Sequence, residues 1–174
     1  MDKKTLIAYY SRTGNTKELA NLIHTAVGGD LFQIETAVKR PTDYEMEVAK
    51  NQREQMENVL PQLKNSVTDF STYDYIFVGF PTWNMALPQV MVTFLKEYDF
   101  HDKKVVPFNT NGGFGYGATL NQINQYTKGS SVLEPISFKG GLEKQGIPLT
   151  IKGIRKDKIT KEINQWLVNI GVKK

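Results

Sequence analysis

The sequence predicts a doubly wound α/β domain, a mostly parallel sheet with helices on both faces. Two observations carry this. Short runs rich in β-branched and aromatic residues alternate with longer segments in which apolar residues recur at helical spacing, and helix start and stop residues fall between them. Strands that alternate with helices are joined by right-handed crossovers, which put helices on both faces of the sheet. At 174 residues the chain is the size of one domain with a substantial core, taken as residues 1–174.

The strand runs are Thr5–Tyr10, Leu31–Glu35, Tyr75–Phe80, Lys104–Asn109 and Val132–Phe138. Helical spacing links Leu19, Leu22 and Ile23, then Met46, Ala49, Arg53, Met56 and Leu60, then Val90, Met91, Phe94, Leu95 and Tyr98. A weaker segment passes through Leu120 and Ile123. The last runs through Ile159, Ile163, Trp166, Leu167 and Ile170, with Gly171 where a helix would stop. Thr42 with Glu45 reads as a capping box, and Pro88 suits a first helical turn. The long connection Lys139–Arg155 has room for an extra strand near Leu149–Ile154.

Composition narrows the chemistry. Hydrophobic residues make up 40% and charged residues 23%, a globular balance rather than a disordered one. There is no cysteine, which excludes disulfides, thiolate nucleophiles and cysteine-held metal clusters, so redox chemistry would need a cofactor. His24 and His101 lie in no metal-binding pattern and read as surface residues; no metal ligands and no catalytic residues are assigned. No apolar run approaches the roughly 18 residues that cross a bilayer, so a cytoplasmic protein without a membrane partner is expected. The net charge of +4 is concentrated in residues 139–174, where nine Lys/Arg face Glu143, Asp157 and Glu162. Aromatics are not interleaved among these charges, so nucleic acid is not the expected partner.

Three strand ends carry the candidate site. The first strand runs into Ser11-Arg12-Thr13-Gly14-Asn15-Thr16, just before a helix. Hydroxyls, a glycine and a helix N-terminus together suit one phosphate. The loop is neither a G-x-x-x-x-G-K-[ST] nor a G-x-G-x-x-G motif, which disfavours nucleoside triphosphates and dinucleotides. After the third strand, Pro81-Thr82-Trp83-Asn84-Met85-Ala86-Leu87-Pro88 offers an indole. After the fourth, Thr110-Asn111-Gly112-Gly113-Phe114-Gly115-Tyr116-Gly117 offers exposed backbone amides and two aromatic faces. In an open α/β sheet, ligands bind outside the carboxyl ends of the strands, so one phosphate cradle and two ring-flanking loops suit a mononucleotide.

The strings Y-S-R-T-G-N-T, G-F-P-T-W-N and F-N-T-N-G-G-F-G-Y-G resemble the three FMN-contacting loops of flavodoxins, above all a bacterial flavodoxin-like branch with a glycine-rich third loop. The resemblance extends over nearly the whole chain. It implies a three-layer flavodoxin-like sandwich around a five-stranded parallel sheet of order 2-1-3-4-5, with non-covalent FMN. By the same resemblance Ser11, Thr13, Asn15 and Thr16 would hold the phosphate, with Arg12 and Gly14 in the same loop. Trp83, among Pro81, Thr82 and Asn84, would flank the isoalloxazine. Asn111, Gly112, Gly113 and Gly115 would border its pyrimidine side, with Thr110 in the same loop. Where relatives often carry a second aromatic this chain has Asn84, which makes Phe114 or Tyr116 the alternative ring contact.

The favoured function is an FMN-dependent oxidoreductase fed by a reduced nicotinamide or a partner reductase and delivering electrons to a small acceptor such as a quinone. The alternatives are a pure flavodoxin-type electron carrier and a basic nucleic-acid-binding module. A homodimer is one option. Arg12 is expected either to offset phosphate charge or dock an anionic substrate, or to stand in solvent, and Glu45, Glu47, Glu54 and Glu57 are expected on a solvated helix face.

Overall fold

A computed structural model describes residues 3–173. Alternation along the strands builds two cores. In β1 (Thr5–Tyr9) Leu6 and Ala8 join the core on one face, while Ile7 and Tyr9 join the other. In β3 (Tyr75–Pro81), Ile76, Val78 and Phe80 oppose Tyr75 and Phe77 in the same way. Helices α1 (Asn15–Val27) and α5 (Gly153–Asn169) cover one face through Leu19, Ile23, Ile159, Ile163 and Trp166. Helices α3 (Gln89–Glu97) and α4 (Thr119–Tyr126) cover the other through Val90, Met91, Phe94, Leu95 and Ile123.

With β2 (Asp30–Gln33), β4 (Lys104–Asn111) and β5 (Ser131–Val132), the parallel sheet runs β2-β1-β3-β4-β5, the order 2-1-3-4-5 expected from the sequence. The order reverses between β1 and β3, and the three loops singled out in the sequence leave the carboxyl ends of β1, β3 and β4. Trp166 belongs to the core, its indole donating to the Glu134 carbonyl at 2.8 Å.

The fifth strand is not continuous. It splits into β5 (Ser131–Val132) and β6 (Ile136–Lys139), both parallel to β4 at successive registers. Pro135, between them, has no amide for the ladder. The strand expected near Leu149–Ile154 does not form. Residues 149–152 are irregular, and Gly153 and Ile154 already belong to α5, because Asn15 takes the amides of this stretch as described below.

Helix α2 (Tyr44–Met56) departs from two further expectations. Its cap is Asp43, whose carboxylate accepts from the Met46 amide at 2.9 Å, rather than Thr42 in a capping box with Glu45. The apolar residues expected to face the core do not: Met46 is 63% exposed and Met56 83%. The buried stripe is Glu47, Asn51 and Glu54, so the carboxylates at 47 and 54 are not a solvated face. The reason is electrostatic. Arg40 donates to both Glu47 and Glu54, and an ion-paired arginine lets this stripe turn inward. Gln55 completes the anchorage by donating to the carbonyls of Trp83 at 2.9 Å and Leu87 at 3.1 Å.

Candidate functional site

The carboxyl ends of β1, β3 and β4 open onto one cleft of about 490 Å³, a size typical of small-ligand pockets. Gly14 stands before α1 with φ of 96°, a left-handed turn that suits glycine, and its amide donates to Ser11 Oγ at 3.2 Å. The first-turn amides of α1 then have no acceptor within the helix and lie at its positive end. Thr16 Oγ1 lies 2.8 Å from Thr110 Oγ1, the Thr82 amide donates to the Thr110 carbonyl at 2.9 Å, and the buried Asn109 carboxamide donates to the Phe80 carbonyl and to Thr82 Oγ1, both at 3.0 Å. The three loops therefore hold one another in place.

Trp83 opens a tight two-residue turn in which it exchanges backbone hydrogen bonds with Ala86 at 2.9 and 3.1 Å. Asn84 and Met85 both take positive φ, 49° and 59°, as a type I′ turn requires, at a conformational cost for non-glycine residues. The turn is braced from behind, where the Ala118 amide donates to the Met85 carbonyl at 2.7 Å. The half-buried indole meets Tyr10 edge-on at 5.4 Å, and the Arg40 guanidinium carbon lies 5.9 Å from its ring centre. Burial pushes the Tyr10 phenol well above its ordinary pKa, so it stays protonated.

Of the residues chosen from the sequence, Ser11, Arg12, Thr13, Asn15 and Thr16 line the cleft, as do Pro81, Thr82, Trp83 and Asn84, and Thr110, Asn111, Gly112 and Phe114. Gly14, Gly113, Gly115 and Tyr116 do not line it. The amides of Gly113 and Gly115 are not free donors, because Asn111 Oδ1 accepts from them at 2.8 and 3.3 Å. Tyr116 lies next to Ser137, and burial raises its phenol pKa. The Asn15 side chain is committed elsewhere: its Nδ2 donates to the Pro148 carbonyl at 2.6 Å, and its Oδ1 accepts from the Thr150 and Ile151 amides at 2.9 and 3.3 Å.

Arg12 is neither solvated nor free to dock an anion. It forms a two-pronged pair with Glu143, Nε to Oε2 at 2.9 Å and Nη2 to Oε1 at 2.8 Å, and donates to the carbonyls of Pro41 at 2.8 Å and Thr42 at 2.9 Å. The hydrogen bonds it donates to Glu143 raise its pKa further.

Two walls of the cleft were not foreseen. One is the α2 face carrying Tyr44, Glu47, Val48, Asn51 and Gln52; the other is the segment from Gly140 to Gln145. The second had a signal, since Lys139-Gly140-Gly141 follows the last strand just as the other loops follow theirs. A Cβ on Gly141 would sit 2.0 Å from the Pro148 carbonyl oxygen, so only glycine fits that crossing. Among the described residues no cluster of His, Cys, Asp and Glu is arranged to hold a metal, and no helix is long and apolar enough to cross a membrane.

Known proteins share this fold. A crystal structure from Bacteroides uniformis ATCC 8492, described provisionally as a flavoprotein, is 26% identical with a TM-score of 0.77, covering 97% of this chain and 99% of that one. The flavoprotein of Lactobacillus acidophilus NCFM, solved in complex with FMN, is 26% identical with a TM-score of 0.68 over 78% of this chain and 93% of that one. The flavodoxin of Nostoc sp. strain PCC 7120 is 27% identical over 146 residues, 81% of this chain and 68% of the relative. The flavodoxin family profile matches residues 4–147, which contain all three strand-end loops. With its sheet order and these matches, the chain belongs to the flavodoxin family.

Proposed function

We propose that this chain binds FMN non-covalently in the cleft and works as an oxidoreductase, taking electrons from a reduced nicotinamide or a partner reductase and passing them to a small acceptor. The observation that supports this best is the joint fixing of three loops around one cleft: a helix N-terminus with unpaired amides, a tryptophan on a braced turn, and the end of β4, linked through Thr16, Thr110 and Thr82. The donor set fits the cofactor. Ser11, Thr13 and Thr16 hydroxyls and the first-turn amides of α1 would hold the phosphate, whose charge the helix dipole favours. Trp83 would lie against the isoalloxazine, with its ring orientation held by Tyr10 and by Gln55 on its carbonyl.

FMN supplies the redox chemistry when bound. The chain's own residues position and shield it. Apolar surface from Trp83 and Leu142 on the cleft wall disfavours added negative charge on a ligand ring. The α2 wall and the 140–145 segment extend the cleft beyond the three loops, which favours a protein with its own small-molecule substrate over a pure carrier.

The test is an absorption spectrum of purified protein after adding FMN and desalting, followed by mixing with NADH or NADPH. A retained flavin band that bleaches with the nicotinamide alone supports the oxidoreductase. Bleaching only once a reductase is added supports the carrier, and failure to retain flavin refutes both.

A further inference from the structure

Two buried polar atoms on residues that line the cleft have no hydrogen-bond partner. Glu47 Oε2 and Asn51 Oδ1 are buried without a hydrogen bond, on residues 3% and 4% exposed. They stand four residues apart on α2, and so share one face of the helix. Leaving such an acceptor dry costs about 1–3 kcal/mol, and native proteins rarely tolerate it. The other oxygen of Glu47 is taken by Arg40, and Arg12 Nη1 stands 3.6 Å from Oε2, beyond hydrogen-bond reach. Both residues line the cleft, beside Tyr44 and Val48, which are 36% and 37% exposed although one is aromatic and the other aliphatic.

We propose that this face of α2 is a second-ligand subsite for a neutral aromatic molecule carrying an N–H or O–H donor, an aromatic amide or a phenol. The chemistry follows from the walls. Both unpartnered atoms are oxygens, so the ligand must bring donors; Tyr44, Val48 and Trp83 offer apolar surface, so the rest of the ligand is a flat ring. Arg40 already balances the Glu47 charge through a direct pair and Arg12 lies 3.6 Å away, so no ligand charge is called for. The inference rests on FMN occupying the strand-end loops, which leaves the α2 wall for a second molecule.

The test is a ligand-observed NMR titration of the FMN-loaded protein with benzamide and with methyl benzoate, which matches it in shape but has no donor. Benzamide is expected to bind at least tenfold more tightly, and Asn51→Leu is expected to reduce that preference to less than twofold while FMN affinity stays within twofold. Asn51→Asp, which keeps the acceptor, is expected to retain the preference. Equal binding of the two probes to the wild type overturns the proposal, and so does a preference that survives Asn51→Leu. Parallel loss of FMN and benzamide in Asn51→Leu also overturns it, because Asn51 would then belong to the flavin site. A wild type that holds no FMN counts against the cofactor reading alone, and the same titration of the apoprotein then decides the subsite.

Discussion

Arg12 in the loop after β1 and Glu143, which is 131 residues away in sequence, form a two-pronged ion pair that fastens the 140–147 segment over the start of α1. Their side chains are 17% and 26% exposed, so solvent screens the pair only in part. Within the segment, Leu142 and Ile147 exchange backbone hydrogen bonds at 2.7 and 3.1 Å, which tie the turn together. Glu143→Gln keeps the shape and removes the charge. At about 1 kcal/mol for a partly screened charge-assisted pair, FMN dissociation should speed up about fivefold. Hydrogen exchange at Leu142 and Ile147 should rise with it, and high salt should bring the wild type toward the variant. Unchanged dissociation would show that the strap has no part in retaining the cofactor.

Arg40 is the counterion of α2. Replacing it by Met leaves Glu47 and Glu54 buried without their partner, a loss of about 3–5 kcal/mol by the usual cost of breaking a buried pair. Urea denaturation measures this, and adding Glu47→Gln and Glu54→Gln to Arg40→Met should restore most of the loss. A single-variant loss below 1 kcal/mol would mean that other contacts hold α2.

Gly117 supports the tryptophan turn from behind. Its φ is 54°, and a Cβ there would stand 2.2 Å from the Met85 carbonyl oxygen. Gly117→Ala combines left-handed strain with a backbone clash, about 3 kcal/mol in all. Because the clash falls on the Trp83 turn, FMN affinity should drop at least tenfold at temperatures where the variant remains folded. Titration of flavin fluorescence reads this directly.

Tyr73 gives a pH dependence. Burial first, and then the 2.7 Å hydrogen bond it donates to Asp30, raise its phenol pKa to about 12. Unfolded tyrosine ionises near 10, so the fold prefers the neutral form. Its contribution is complete below pH 10 and is lost as pH rises toward 12. Stability measured across that window should fall less steeply in Tyr73→Phe than in the wild type, and identical slopes would contradict the assignment.

The sheet and the three loops were legible because their signals are local. Apolar runs mark β1, β3 and β4 on their own, and residues 11–13, 15–16, 81–84 and 110–112 inherit the cleft from strand-end geometry. What escaped depends on residues distant in sequence. Nothing in Y-E-M-E-V-A-K-N-Q-R-E-Q-M indicates that Glu47 and Glu54 turn inward, since Arg40 lies in the preceding loop and the apolar Met46 and Met56 suggest the opposite face. Arg12 likewise looked like a free cation until Glu143 was placed beside it. Asn15 carries a family signature while its side chain holds residues 148–151, a pairing that no local pattern announces.

On the proposed reading, the Trp83 turn and the loop before α1 together hold FMN. Isothermal titration of the apoprotein with FMN, beside Trp83→Ala, tests it most directly. One FMN per chain with submicromolar affinity in the wild type, weakened at least tenfold by Trp83→Ala, is the result expected. No binding at 100 μM FMN, or equal affinity in the two proteins, would contradict it.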